Sequence, residues 1–229
     1  MRSLMAEVPS WYEILFKGHK TIPITSWRST SRWKFNVKTF AVLMIGFFFF
    51  GVGEGLVYLS AIGNSPWIVL SEGLTNYSPF AIGTATLIIS IFVFLLWIPL
   101  KEKPGAGTVF NILMIPFWIE ITIHIFPRTE SYGFGIVLAI IGVLFVGLGS
   151  ALYLTTNLGP GPRDGLMTSL HTKTGVRVSR VRLSIETSVL LAGFLMGGTV
   201  GLGTLIFALG IGRAVALWLA VVARFGGNK

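Results

Sequence analysis

Apolar positions along this chain fall in long blocks rather than in any short period. Six blocks, residues 40–62, 80–100, 108–126, 133–156, 181–200 and 204–223, are each long enough to cross about 30 Å of hydrocarbon as a helix. Two shorter stretches, 67–74 and 163–170, follow Ser65-Pro66 and Gly161-Pro162. A small residue and then proline is a helix start. Two turns cannot span a bilayer, so these stretches read as re-entrant helices dipping in from opposite faces, or else as surface loops. Irregular backbone at membrane depth persists only where protein or a wet cavity surrounds it.

The polar connections set the orientation. Lysine and arginine crowd the segment before the first span, the loops after the second and fourth spans, and the C-terminus; Arg128 is the lone cation in the alternate connections. That pattern predicts cytoplasmic N- and C-termini. No cleavable signal peptide is visible, and the first apolar block reads as a retained anchor. Before it, residues 1–38 interleave Trp11, Tyr12, Leu15, Phe16, Trp27 and Trp33 with basic residues, a mix suited to the headgroup region.

Shifting the chain by 96 residues lays its second half on its first without a gap. Gly51-Val52-Gly53-Glu54 meets Gly147-Leu148-Gly149-Ser150, Pro66 meets Pro162, and Gly105-Ala106-Gly107-Thr108 meets Gly201-Leu202-Gly203-Thr204. With three spans per copy, the second copy enters from the opposite face. The expected fold is an all-α membrane protein of six transmembrane helices. It would consist of two inverted three-helix repeats, residues 39–128 and 129–229, each with a short re-entrant helix.

Composition agrees. The 229 residues are 53% hydrophobic and 12% charged, against about 25% charged in soluble domains. The net charge of +9 reads as membrane-side cations facing anionic lipid rather than as a nucleic-acid surface. The absence of cysteine excludes disulfides and thiolate metal sites, and His19, His124 and His171 show no metal-ligand spacing. No cofactor is implied.

The residues Ile62-Gly63-Asn64-Ser65-Pro66-Trp67-Ile68-Val69-Leu70 and Pro104-Gly105-Ala106-Gly107-Thr108 resemble the YczE/YitT-type family of bacterial membrane proteins. The resemblance runs from about residue 40 onward and implies a multi-pass protein of a bacterial inner membrane. Family members carry aspartate after Pro-Trp. Here Ile68 stands in that place, and the repeat partner Asp164 keeps an acid. The family brings no settled activity with it.

Ionisable residues inside apolar blocks cost about 3 kcal/mol each on insertion scales. Glu54, Asn111, Glu120, His124, Glu186 and Arg213 are the polar candidates. By depth, Glu54 and Arg213 are expected to face inward and to pair, as a substrate site or as a structural ion pair. Glu120 and His124, one turn apart, form either a proton relay or an interfacial polar pair. Glu186 answers Arg182.

The leading reading is a small secondary transporter for a small anionic solute. Its site comprises Arg213, Glu54, Pro66, Arg163, Asp164 and Asn111, and the positive ends of the half-helices face inward. The alternative is a non-transporting membrane subunit or scaffold that binds a partner or lipid, as a homo-oligomer or within a complex. No catalytic constellation is recognisable, so an enzyme is not expected.

Overall fold

The structure, a computed structural model, describes residues 22–226. Trp11, Tyr12, Leu15 and Phe16 of the expected headgroup segment, and His19, lie outside them. The described residues form nine helices: α1 (Val37–Leu59), α2 (Pro66–Thr75), α3 (Ile82–Leu95), α4 (Trp97–Leu100), α5 (Ala106–Ile125), α6 (Tyr132–Thr155), α7 (Pro162–Thr174), α8 (Val178–Leu195) and α9 (Leu202–Gly226).

Their starts follow local chemistry. Asn36 caps α1 by accepting from Thr39 N at 2.8 Å, and Ser131 caps α6. Pro66 and Pro162 open α2 and α7 at the first turn, where a missing N–H loses no bond. The N-cap of α3, Ala81, offers no side chain; instead Glu120 of α5 accepts from Gly83 N at 2.8 Å.

Five helical segments are long and apolar enough to cross a membrane: Val37–Leu59, Ile82–Leu100, Ala106–Ile125, Tyr132–Thr155 and Leu202–Gly226. The sixth expected span is helical as α8, but Arg180, Arg182 and Glu186 in its first half keep it outside this set. Only Val181 and Gly193 of α8 are buried.

The central contact is the antiparallel crossing of α1 and α6. A Cβ on Gly46 would lie 3.1 Å from Gly149 O, and one on Gly53 would lie 2.6 Å from Gly142 O. Shifted by 96, each of these pairs becomes the other. The other elements correspond in the same way, since α2, α3 and α5 begin 96 residues before α7, α8 and α9. Contacts then cross between halves: α2 packs on α8, and α7 packs on α3 and α4.

The unwound links 60–65 and 156–161 repeat one backbone path. Ala61 and Asn157 have φ of 58° and 59°, and Gly63 and Gly159 have φ of 117° and 108°. Each link is held by the other half. Gly203 N donates to Ile62 O, and Gly107 N donates to Leu158 O, both at 2.8 Å. Thr108 Oγ1 donates to Pro160 O at 2.8 Å.

Residues 22–36 form a strap across the end of the molecule where α6 and α9 finish. Ser26 N donates to Gly226 O and Ser29 N to Thr156 O, both at 2.9 Å. The Trp27 indole N–H reaches Thr155 Oγ1 at 3.0 Å. Ala106 N donates to Arg32 O at 2.9 Å, tying the strap to α5.

Gly53→Ala is expected to destabilise the folded protein by about 1–3 kcal/mol, since its methyl would meet backbone that cannot retreat. Gly212→Ala in α9, with no atom within 4 Å of the new Cβ, is expected to be neutral or stabilising. Thermal unfolding of the two variants in detergent checks this; equal melting temperatures would contradict the close crossing.

Candidate functional site

Both half-helices aim their first turns at the middle of the molecule. Trp67 and Arg163 hold the same position in α2 and α7, one residue after the opening proline. The Arg163 guanidinium lies over the Trp67 ring, 4.7 Å from its centroid. A cavity of about 140 Å³ opens beside them. Its polar lining comes from α1 (Glu54), α3 (Ser90), α5 (Asn111), α6 (Ser150, Tyr153), α7 (Arg163, Asp164) and α8 (Arg182, Glu186).

Glu54 is buried, with 2% of its side chain exposed. It sits in α1 between Gly53 and Gly55, and those glycines let α6 and α5 close on it. Ser65 Oγ, at the N-cap of α2, donates to Glu54 Oε2 at 2.6 Å. Arg163 Nη1 stands 3.9 Å from Glu54 Oε1, too far for a hydrogen bond but close enough for charge attraction. Removing one member of a buried ion pair costs about 3–5 kcal/mol, because the other charge is stranded. Asp164, in the first turn of α7, accepts from the Tyr153 hydroxyl. Arg182 Nε donates to Glu186 Oε1 at 2.9 Å across one turn of α8.

Several cavity groups have unused donors, and two of them matter for charge and shape. Among the described residues, neither the Arg163 guanidinium nor the Asn111 amide makes a hydrogen bond, and both line the open space. A planar fork of N–H groups beside an amide is a receptor for an oxyanion, which accepts two parallel bonds. The N-terminus of α7 adds its own partial positive charge.

The structure gathers Glu54, Arg163, Asp164 and Asn111 at one cavity, with Pro66 opening the helix whose Ser65 holds Glu54. It does not bring Arg213 there. Arg213 is exposed and lines an outer groove between α6 and α9 with Ile140, Leu144 and Leu217. Its helix turns Phe207, Ile211 and Ala214 towards α6, so residue 213 points away. The partner of Glu54 is therefore Arg163, and the expected Glu54–Arg213 pair is corrected on that ground. Glu120 and His124 also lie away from the cavity. Glu120 caps α3, and His124 is exposed near the end of α5.

Sequence reasoning passed over Tyr153, Trp67 and Glu72. The 96-residue offset pairs Trp67 with Arg163 and so could have found it. Glu72, on α2, centres a second polar cluster. Asn64 Nδ2 and Thr199 N donate to its Oε2 at 2.8 and 2.6 Å, and Arg128 lies 3.6 Å from Oε1. A similar tie secures α7 near the strap: Ser169 Oγ donates to Glu102 Oε2 at 2.9 Å, and Arg32 meets Glu102 Oε1 at 3.2 Å.

Residues 37–220 match the model of a family described as "Family of unknown function (DUF6198)". An uncharacterized protein of Haemophilus influenzae is 43% identical over 208 residues, 91% of this chain and 95% of that protein. The uncharacterized membrane protein YczE of Bacillus subtilis is 32% identical over 150 residues, 65% of this chain and 70% of YczE. The uncharacterized protein YyaS of the same bacterium is 23% identical over 184 residues, 79% of this chain and 92% of YyaS. No solved structure matches.

Glu72→Ala would strand the buried amide donor of Asn64 and the half-buried N–H of Thr199. It is expected to lower stability by about 1–3 kcal/mol for each donor left unpaired. Arg128→Ala, with 42% of its side chain exposed, should cost less than about 1 kcal/mol. Unfolding by denaturant in mixed micelles ranks the two; the reverse order would contradict the assignment of Glu72 as the centre of the cluster.

Proposed function

From the premise that the chain belongs to the DUF6198 family, we propose that it is a small bacterial membrane transporter that binds a small anionic solute at Arg163. The observation that carries this reading is the open guanidinium fork of Arg163, stacked on Trp67 and facing a polar cavity at the centre of the molecule. A scaffold has no need of a central cavity lined by charged groups; a fully packed centre would have favoured that alternative.

The surrounding architecture suits alternating access. We take the repeats to be inverted. The two-fold relation exchanges α1 with α6, and because these run antiparallel the axis lies across them, in the membrane plane if α1 spans. In this reading α8 is the sixth span. Arg182 and Glu186 of its charged half line the cavity and bond each other, which lowers the cost of carrying them in a membrane. The strap end faces the cytoplasm, following the cation distribution. The Glu102 and Glu72 clusters then become the inner and outer ties on the half-helices. No chemical step and no cofactor enters this mechanism.

The test is an untargeted comparison of small anions retained by cells expressing wild type or Arg163→Lys, followed by binding of the solute so identified. Lysine keeps the charge but loses the fork, so Arg163→Lys is expected to fold and to bind at least about tenfold more weakly. Such a loss matches the roughly 1.5–3 kcal/mol of a charge-assisted hydrogen bond. Arg213→Lys, outside the cavity, should bind as wild type does. Loss of binding in Arg213→Lys with retention in Arg163→Lys would overturn the site.

Orientation is tested separately in this cysteine-free chain. A cysteine placed at Thr174 should resist an impermeant thiol reagent applied to intact cells and react after permeabilisation. Labelling in intact cells would place the strap end outside.

A further inference from the structure

We infer that the anion and a proton enter the central site together, with Glu54 taking the proton when the anion takes Arg163. This rests on the anion-site reading above and adds the coupling ion and the residue that carries it.

The inference follows from how Glu54 is held. Among the described residues, its one side-chain hydrogen bond comes from a neutral hydroxyl, Ser65 Oγ at 2.6 Å, and its one ion pair is with Arg163 at 3.9 Å. The other charges near the cavity are already engaged. Arg182 and Glu186 of α8 bond each other, and Asp164 of α7 accepts from Tyr153 of α6. From α5 the cavity receives Asn111, which is neutral. Among the described residues, Arg163 alone therefore compensates Glu54. The 3.9 Å separation leaves the guanidinium fork open, so an arriving oxyanion and Glu54 compete for one cation.

An anion that wins this competition leaves a carboxylate buried to 98% without a counter-charge. A buried unpaired carboxylate neutralises itself by binding a proton rather than remaining charged. The charge count agrees. The lining carries two arginines, Arg163 and Arg182, against three carboxylates, Glu54, Asp164 and Glu186. Adding an anion alone would deepen a negative excess in an enclosed space. Adding an anion with one proton leaves the sum unchanged.

Protons balance without another group. One proton from bulk water binds a Glu54 oxygen as the anion reaches Arg163, and it leaves as the anion leaves. The Ser65 hydroxyl accommodates both states, donating to the carboxylate and accepting from the acid. The predicted result is electroneutral symport, with Glu54 as the coupling residue and Arg163 as the shared cation.

The test needs no knowledge of the solute, because removing the Arg163 charge imitates its capture by an anion. Infrared spectra of the purified full chain at neutral pH should show no protonated-carboxyl band from Glu54 in wild type. Arg163→Gln should show one such band, and Glu54→Gln/Arg163→Gln should lack it. A Glu54 band already present in wild type, or absent from Arg163→Gln, overturns the inference. If Arg163→Gln cannot be purified, wild type is titrated to acid. A band that Glu54→Gln removes should then appear while the fold persists, and its failure to appear before unfolding overturns the inference. The spectra report on Glu54 whether or not solute moves, so a positive band with no solute identified would count against transport and leave the exchange standing.

Discussion

A helix that stops inside a membrane-sized bundle must find partners for backbone groups that water would otherwise satisfy, and in this chain each half supplies them to the other. Ile62 O and Leu158 O, at the two unwound links, are both taken by amides from the opposite half, Gly203 N and Gly107 N. Without these crosswise bonds, each exposed carbonyl would carry a desolvation cost of roughly 1–3 kcal/mol. Neither half can therefore close its own link, and the fold is cooperative at its centre. Glycine is required at 63 and 159 for a sharper reason: both have φ in the left-handed region, and both face the first turn of the opposing helix.

The cavity lies where the two halves differ in chemistry. The first copy supplies Glu54, Ser65 and Trp67; the second has Ser150, Gly161 and Arg163 in the same places. One copy brings a carboxylate with its hydroxyl donor and an aromatic platform. The other brings a cation and a glycine that leaves room beside Asn111. The packing places these unlike sets against one another, so that two halves of like backbone path enclose a cavity of unlike side chains. The same holds at the ends. The carboxylate of the tie sits on the half-helix at Glu72 but on the loop at Glu102, and an arginine from outside the half-helix answers each.

Much of this is legible in the sequence, and each exception has a physical cause. The apolar blocks located the long helices, and Pro66 and Pro162 gave the half-helix starts. The offset gave the correspondence between halves, because glycines that let backbones touch leave their spacing in the chain. Glu54, Arg163, Asp164 and Asn111 were each nameable from depth and position. Arg213 was misjudged because sequence position gives height along a helix more readily than direction around it. Residues 207, 211 and 214 mark the face of α9 that meets α6, and 213 lies off that face. The offset held the same hint, since it pairs Arg213 with Phe117, which is 49% exposed. Tyr153 and Trp67 are site residues by virtue of what they face, Asp164 and Arg163, and contacts between distant helices leave no local pattern.

The placement of Arg163 runs against the preferences of an isolated helix. The first turn of a helix favours anions, and a cation there opposes the macrodipole by about 0.3–1 kcal/mol. Asp164, one residue later, satisfies that preference, yet Arg163 beside it does not. Its stem and guanidinium are largely buried, with 16% of the side chain exposed, so water does little to screen the conflict. What offsets it is the Trp67 ring on one side and a carboxylate on the other, at a distance that leaves its donors unfilled. A purely structural pair would be expected to close to hydrogen-bonding distance and spend the fork on Glu54. The open geometry instead leaves the strongest donor set in the core directed at empty space, in the one part of the bundle where both helix N-termini converge. The anion proposed for this site would complete the hydrogen bonding that the described residues leave open.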